Sequence, residues 1–260
     1  MGLVFAIFFI CLLTVDDCRT AALYKCSQLQ IQYNRALDQA AEDAMFHLVE
    51  SDSGRAVVIN EIEAAEQFFT SLYINMGIME NAYLKSQIKF YVPFISIIDK
   101  DGFMIYCHNE GNNGEMAFAE KYPYQWEDSR YVVQFTMSDI VSVFDKIMDK
   151  TLTGNYNDVR EILPCKALEA ARFDEIRRTT IVESLVDKFS RYFTEYNRVA
   201  RKYGISYEFQ LPLIDKADWY RTIDDISLVA FFQGYPYGNG IEGYYNRVSL
   251  AGARLNKKSL

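Results

Sequence analysis

The first fifteen residues, MGLVFAIFFICLLTV, carry no charge, and Asp16 and Asp17 end the run. As a helix rising about 1.5 Å per residue, such a run is ~22 Å long. A bilayer's hydrocarbon core is ~30 Å thick and takes ~20 residues to cross. Three readings compete: a secretory signal segment, for which Thr20-Ala21-Ala22 would serve as a cleavage site but no basic residue stands in front; a membrane anchor; or an apolar core helix. The residues beyond the acidic pair favour the anchor. There is no glycine between Gly2 and Gly54, and the first proline is Pro93. Cys26, Leu29, Tyr33, Leu37, Ala40, Ala44 and Leu48 recur at steps of three and four, with Gln28, Gln32, Arg35, Gln39 and Asp43 between them. That is an amphipathic helical stripe. The expectation is one helix from the apolar run to about Glu50, on the order of 70 Å long. The chain then divides into an anchor or signal-like segment (1–17), a long amphipathic helix (18–54) and a globular body (55–260), with the body extracytoplasmic.

Half of the 260 residues are hydrophobic, with 19 Tyr and 18 Phe, enough for a large core and incompatible with a disordered chain. Only 5 Pro and 13 Gly indicate long regular elements. A net charge of -8 without a crowded basic tract argues against nucleic acid as a partner. The cysteines, Cys11, Cys18, Cys26, Cys107 and Cys165, form no CxxC and no zinc spacing. Outside the cytoplasm Cys107 and Cys165 could bridge; the alternative is two unrelated buried thiols.

Along the body, Ser51 to Gly54 is a turn by composition. Asn60 with Glu63 three residues on predicts a capping box at the start of a helix running to Asn75, ended by Gly77. A third short helix is expected around Glu80 to Tyr91. The period then changes. VPFISIIDKDGFMIY reads as a doubly buried strand, Phe94 to Ile98, a turn with Gly102 at positive φ, and a returning strand, Phe103 to Cys107. Asn109 to Glu115 reads as a loop, and Tyr131 to Met137 as a strand. Ser138 to Lys150 leans helical through Val141, Phe144 and Ile147. A long helix lies between Pro164 and Gly204, striped by Val182, Leu185, Phe189, Phe193, Tyr196, Val199 and Tyr203, with Gly204 as its left-handed cap. Ser206 to Leu211 alternates as an edge strand. Ile226 to Phe232 is a strand or buried helix, Val248 to Leu250 a last strand, and Asn256 to Leu260 a frayed tail. The fold class is therefore α+β, with antiparallel strands packed against long helices. Tyr-Asn-Arg occurs at 33–35, 196–198 and 245–247, in surroundings too different to define a repeat.

Chemistry is sparsely signalled. His47 and His108 have no second histidine or carboxylate at ligand spacing and read as structural or surface residues. Asp99 and Asp101 bracket a turn whose glycine is fourth, not sixth as a calcium loop requires. Asp215, Asp218, Asp224 and Asp225 surround Trp219, Tyr220 and Arg221; a paired acid and base could be built there, and a solvated turn neutralised by Arg221 is the simpler reading. The aromatics Tyr220, Phe231, Phe232, Tyr235, Tyr237, Tyr244 and Tyr245 either form a binding face or complete the core. No phosphate loop, nucleophile elbow, zinc helix or dinucleotide fingerprint is present. No catalytic, cofactor or metal residue is assigned, and no cofactor is expected.

An apolar N-terminus running into one long helix, then a compact body with antiparallel strands, resembles the pilin and pseudopilin plan. The stretches DQAAEDAMFHLVE, AAEQFFTSLY, DKDGFMIY, DWYRTIDDIS and FFQGYPYGNG look like an uncharacterised family of membrane-anchored proteins of clostridia-like Gram-positive bacteria, linked to Tad-type pilus or secretion systems. The chain departs from true type IV pilins in having Phe5 where they place a glutamate, and in lacking their basic leader. The resemblance implies a structural or assembly component of the cell envelope, with the membrane and other envelope or secretion-system proteins as partners. A homo-oligomer through the N-terminal helix would use the small residues Ala36, Ala40, Ala41 and Ala44 for close approach. Locally, VPFISIIDKDGFMIYCH is similar to the strand-turn-strand of Cache-type sensor domains, which implies a ligand-sensing module acting through a partner. An enzyme using the Asp218 to Asp225 region is a third reading.

Overall fold

The structure is a computed structural model that describes residues 2–50, 58–108, 116–236 and 243–252. It is α+β. The first helix, α1 (Gly2–Leu48), is 47 residues without a break, about 70 Å of rise. The expected stripe faces the body: Leu37, Ala40, Ala44 and Leu48 are wholly buried. The pair β1 (Val49–Glu50) and β2 (Val58–Ile59) reverses the chain; the turn expected at Ser51 to Gly54 lies outside the described residues. Next comes α2 (Glu61–Asn75), with Asn60 as its N-cap; the reciprocal half of the capping box does not form, because the Asn60 backbone amide donates to the Leu48 carbonyl at 3.2 Å. The Asn60 side chain accepts from the Glu63 amide at 3.3 Å and donates to the Glu63 carboxylate at 2.6 Å. Gly77 at φ 69° comes next, and the Ile78 amide donates to the Tyr73 carbonyl at 2.9 Å, which closes the helix end. A short α3 (Ala82–Phe90), capped by Asn81, completes this half.

A five-stranded antiparallel sheet has the order β11-β10-β3-β4-β5. Its members are β3 (Phe94–Asp99), β4 (Gly102–His108), β5 (Met116–Phe118), β10 (Ser227–Pro236) and β11 (Tyr244–Gly252). Both faces are covered, as the nearly continuous apolar run at 94–98 requires. Ile95, Ile97, Leu228, Ala230 and Phe232 meet α1 and α2. Phe94, Ile98, Phe103, Ile105, Val229 and Phe231 meet the 30-residue α5 (Phe173–Lys202). The body is thus helix, sheet, helix. A second sheet, β6-β7-β8-β9 (Tyr124–Glu127, Tyr131–Phe135, Ile140–Asp145 and Lys150–Asn155), packs Tyr124, Val133, Phe135, Val141 and Val143 into the α5 core. The short α4 (Tyr156–Ile162) and α6 (Lys216–Thr222) fill the gaps.

The structure corrects several sequence expectations. Ser138 to Lys150 is strand, turn and strand start rather than helix. Val141, Val143 and Asp145 are buried in alternation, so period two on a half-covered sheet prevails over the weaker helical spacing. Ser206 to Leu211 is not a strand. Side-chain amides stand in for the missing ladder: Asn197 bonds both the amide and carbonyl of Phe209, at 2.8 and 2.7 Å, and Gln233 does the same for Gln210, at 3.1 and 2.7 Å. Gly102 is not at positive φ; glycine is needed there because a Cβ would sit 2.5 Å from the Tyr122 carbonyl oxygen. Gly102→Ala is therefore expected to destabilise the body by about 2 kcal/mol through overpacking, read as a lowered urea midpoint at unchanged slope. An unchanged midpoint would refute the close approach. Val248 to Leu250 proves to be the middle of the nine-residue β11. The loop expected at 109–115 and the tail 256–260 lie outside the described residues.

Candidate functional site

Two features of the structure are unexplained by folding alone. The first is the free arm of α1. Every residue from Gly2 to Ala21 is exposed. Ten large apolar side chains between Leu3 and Val15 are 53–77% exposed, Phe8 and Phe9 among them at 61%. Complete removal of each from water would contribute about 1.5–3 kcal/mol, so the arm gains far more from a cover than from water. From Ala36 onward the same helix is built into the body. Asp38 accepts from Ser249 at 2.9 Å and pairs with Arg247, and the Tyr245 hydroxyl donates to Asn34 at 2.8 Å. These contacts place α1 alongside β11, so the arm leaves the body at the Pro236/Tyr244 end of the sheet. Among the described residues no helix is long and apolar enough to cross a membrane.

The second is a cleft of about 290 Å³ at that same end of the β3–β4 hairpin. Tyr192, Glu195, Tyr196 and Val199, one face of α5, form one wall; Cys107, His108 and Ala117 form the other. The Tyr196 hydroxyl donates to the Phe90 carbonyl, and its ring lies 6.1 Å from that of His108. Tyr192 and Tyr122 hydroxyls are 3.1 Å apart. Burial pushes the Cys107 thiol up to about 11, with Glu195 adding to the rise and a hydrogen bond from Tyr192 opposing it. A thiol so placed stays protonated at neutral pH.

The residues singled out from sequence are mostly dispersed. Cys107 and Cys165 are buried free thiols, not a bridge. Asp99 and Asp101 both pair with Lys121, and the buried Tyr124 hydroxyl shares its proton between the Asp99 and Gly102 carbonyls, each at 2.8 Å. Lysine and tyrosine thus hold this turn. Among the described residues no group of three metal-ligating side chains gathers. Asp218 pairs with Arg221 on α6, Asp224 pairs with Arg178 on α5, and Asp225 caps the Ile226 amide. The carboxylates are thus drawn to different partners and offer no acid–base pair. His47 lies 3.5 Å from Glu63. Phe231, Phe232 and Tyr245 complete the core; Tyr244 is half-exposed, and Tyr237 lies outside the described residues. The four alanines of α1 are spent internally: all are at most 2% exposed, in the core they share with Ala64 of α2 and the sheet. They are not available to a neighbouring helix. The Tyr-Asn-Arg tripeptides fall on α1, α5 and β11, three unlike settings, although Tyr33 and Tyr245 meet at 5.5 Å.

Sequence reasoning missed the cleft because its walls come from β4, β5 and α5. Of its lining, only Tyr196 and Val199 belonged to the helical stripe read from the sequence. Comparison with family models, with curated proteins and with solved structures finds no match.

Proposed function

We propose that the chain is a membrane-anchored structural component of a cell-envelope assembly. Its arm lies in lipid and its α+β body is carried on a helical stalk outside the cytoplasm. The observation that supports this reading most is the contrast within α1, bare and apolar from Gly2 to Val15 yet locked into the core from Ala36. A folded domain that ends in an uncovered apolar rod requires a partner phase for it. Asp16 and Asp17, which end the apolar run, lie at headgroup level. Between Val15 and Tyr33 the helix rises roughly 27 Å, which holds the body clear of the surface. The test is sedimentation of cell membranes carrying the full chain after an alkaline carbonate wash. Retention in the pellet is expected; quantitative release into the supernatant would overturn the reading.

A further inference from the structure

We propose that a second cleft, between α5 and the edge strand β6, binds an uncharged saccharide, one or two pyranose units stacked on Trp126. The inference goes beyond the anchoring reading above and stands without it.

The cleft has a volume of about 450 Å³. One wall is a single face of α5, from Thr180 through Glu183 to Lys188. Tyr122 and the β6 residues Gln125, Trp126 and Glu127 form the other. Trp126 follows Tyr124 by two positions, so both side chains stand on the α5 side of the sheet. Tyr124 is wholly buried there, but β6 is the outermost strand and Trp126 is left half-buried. Among the described residues no ring or cation stacks on its indole, and the indole N–H has no hydrogen-bond partner. A second, independent observation lies across the cleft. Thr180 is only 5% exposed. Ser184, Ser190 and Thr194 of the same helix each donate to the carbonyl four residues back, at 2.8, 2.7 and 2.9 Å. The Thr180 hydroxyl makes no such bond and has no partner among the described residues. Leaving a buried hydroxyl unbonded costs stability, so the cleft wall holds a polar group that the fold itself does not use. The exposed Glu183 carboxylate is likewise without an ion pair or hydrogen bond among the described residues.

The class of ligand follows from charge and from the shape of the unmet needs. The charges of the cleft cancel. Glu127 pairs with Lys146 at 2.6 Å and Asp187 with Arg191 at 3.0 Å. Glu183 and Lys188 remain, one of each sign, and the Lys188 ammonium lies 3.7 Å from the centroid of the Tyr122 ring. A cation would meet Lys188 and an anion would meet Glu183, so an uncharged ligand is favoured over either. That ligand must cover an indole face. Around its edge it must satisfy an acceptor at Glu183, donors at Trp126 and Lys188, and at Thr180 a hydroxyl that can do both. A pyranose has this layout: a C–H face that is apolar and a rim of hydroxyls that donate and accept. An amino acid zwitterion could bridge Glu183 and Lys188, but it would leave the Trp126 face bare. A hexose of about a dozen non-hydrogen atoms fills roughly 240 Å³ at interior packing density, which sets the length at one or two units. The cleft lies towards the turn end of the β3–β4 hairpin, where the neighbouring Tyr124 binds Asp99 and Gly102. That end is opposite to the one the arm leaves, so an anchored chain keeps the cleft accessible.

The test is tryptophan fluorescence of the full chain, in micelles of a detergent without a sugar headgroup. The chain is titrated with glucose, galactose, mannose, N-acetylglucosamine, cellobiose, maltose and lactose. At least one should shift the emission saturably, since Trp126 is half-buried at the cleft and the other tryptophan, Trp219, is 5% exposed. Thr180→Val keeps the shape of the side chain and removes its hydroxyl, and should weaken that sugar roughly three- to tenfold. Trp126→Ala, followed by calorimetry, should weaken it by roughly tenfold or more. Should Trp126→Ala misfold, Glu183→Gln, at an exposed helix position, takes its place and should weaken the sugar by roughly threefold or more. Glycine, lysine and inorganic phosphate serve as zwitterionic, cationic and anionic probes. Saturation by one of these without a response to any sugar would overturn the inference. So would silence of every sugar up to about 100 mM, or equal affinity of wild type and Thr180→Val.

Discussion

Replacing Phe189 with alanine is expected to cost roughly 3–5 kcal/mol of folding stability, the usual range for a buried aromatic cut back to a methyl. Phe189 is wholly buried on α5. Its ring lies 5.1 Å from Phe94 on β3, 6.1 Å from Phe103 on β4, 5.6 Å from Phe231 on β10 and 6.2 Å from Trp219 on α6. One side chain thus ties the long helix to three central strands and to the short helix that precedes β10. Few neighbours can collapse into the void, because each is itself a rigid ring in a fixed sheet register. Urea unfolding followed by tyrosine and tryptophan fluorescence reads the change. A loss below about 1 kcal/mol would mean that α5 is not packed on the sheet as described.

The second large effect concerns the arm and leaves the body untouched. Ile10 is 61% exposed and makes no core contact. In lipid, a lysine near the middle of an apolar helix costs about 3 kcal/mol relative to isoleucine, and each 1.4 kcal/mol is tenfold. Ile10→Lys should therefore lower partitioning into liposomes on the order of 100-fold, with the urea midpoint of the body unchanged. Equal partitioning of variant and wild type would show that the arm does not enter lipid.

The elements legible in the sequence are those whose signal is local. The α1 stripe, the Asn60–Glu63 cap, the doubly buried 94–98 strand and the Gly204 cap at φ 77° each arise from residues a few positions apart. What was not legible depends on distant chain. The strand-like 206–211 segment lacks a neighbouring strand because Asn197 and Gln233 occupy its backbone groups. The requirement at Gly102 is set by Tyr122, twenty residues on. The alanines at 36, 40, 41 and 44 suit a contact between molecules and a contact within one equally well, and only the position of α2 decides. The carboxylates around Trp219 are close in sequence, but Arg178, on another helix, draws Asp224 away from Arg221. Of the cleft, Tyr196 and Val199 were visible in the α5 stripe; Tyr192, Glu195 and the sheet that faces them were not.

Two cysteines already in the chain allow the most direct test of the anchored stalk. Cys11 lies within the apolar arm and Cys18 just beyond Asp16 and Asp17; both are exposed, whereas Cys26, Cys107 and Cys165 are buried. With the full chain in liposomes, a bilayer-impermeant maleimide followed by mass spectrometry should modify Cys18 and spare Cys11, and both should react once lipid is replaced by denaturant. Equal modification of Cys11 and Cys18 in the presence of liposomes would contradict a stalk planted in the membrane.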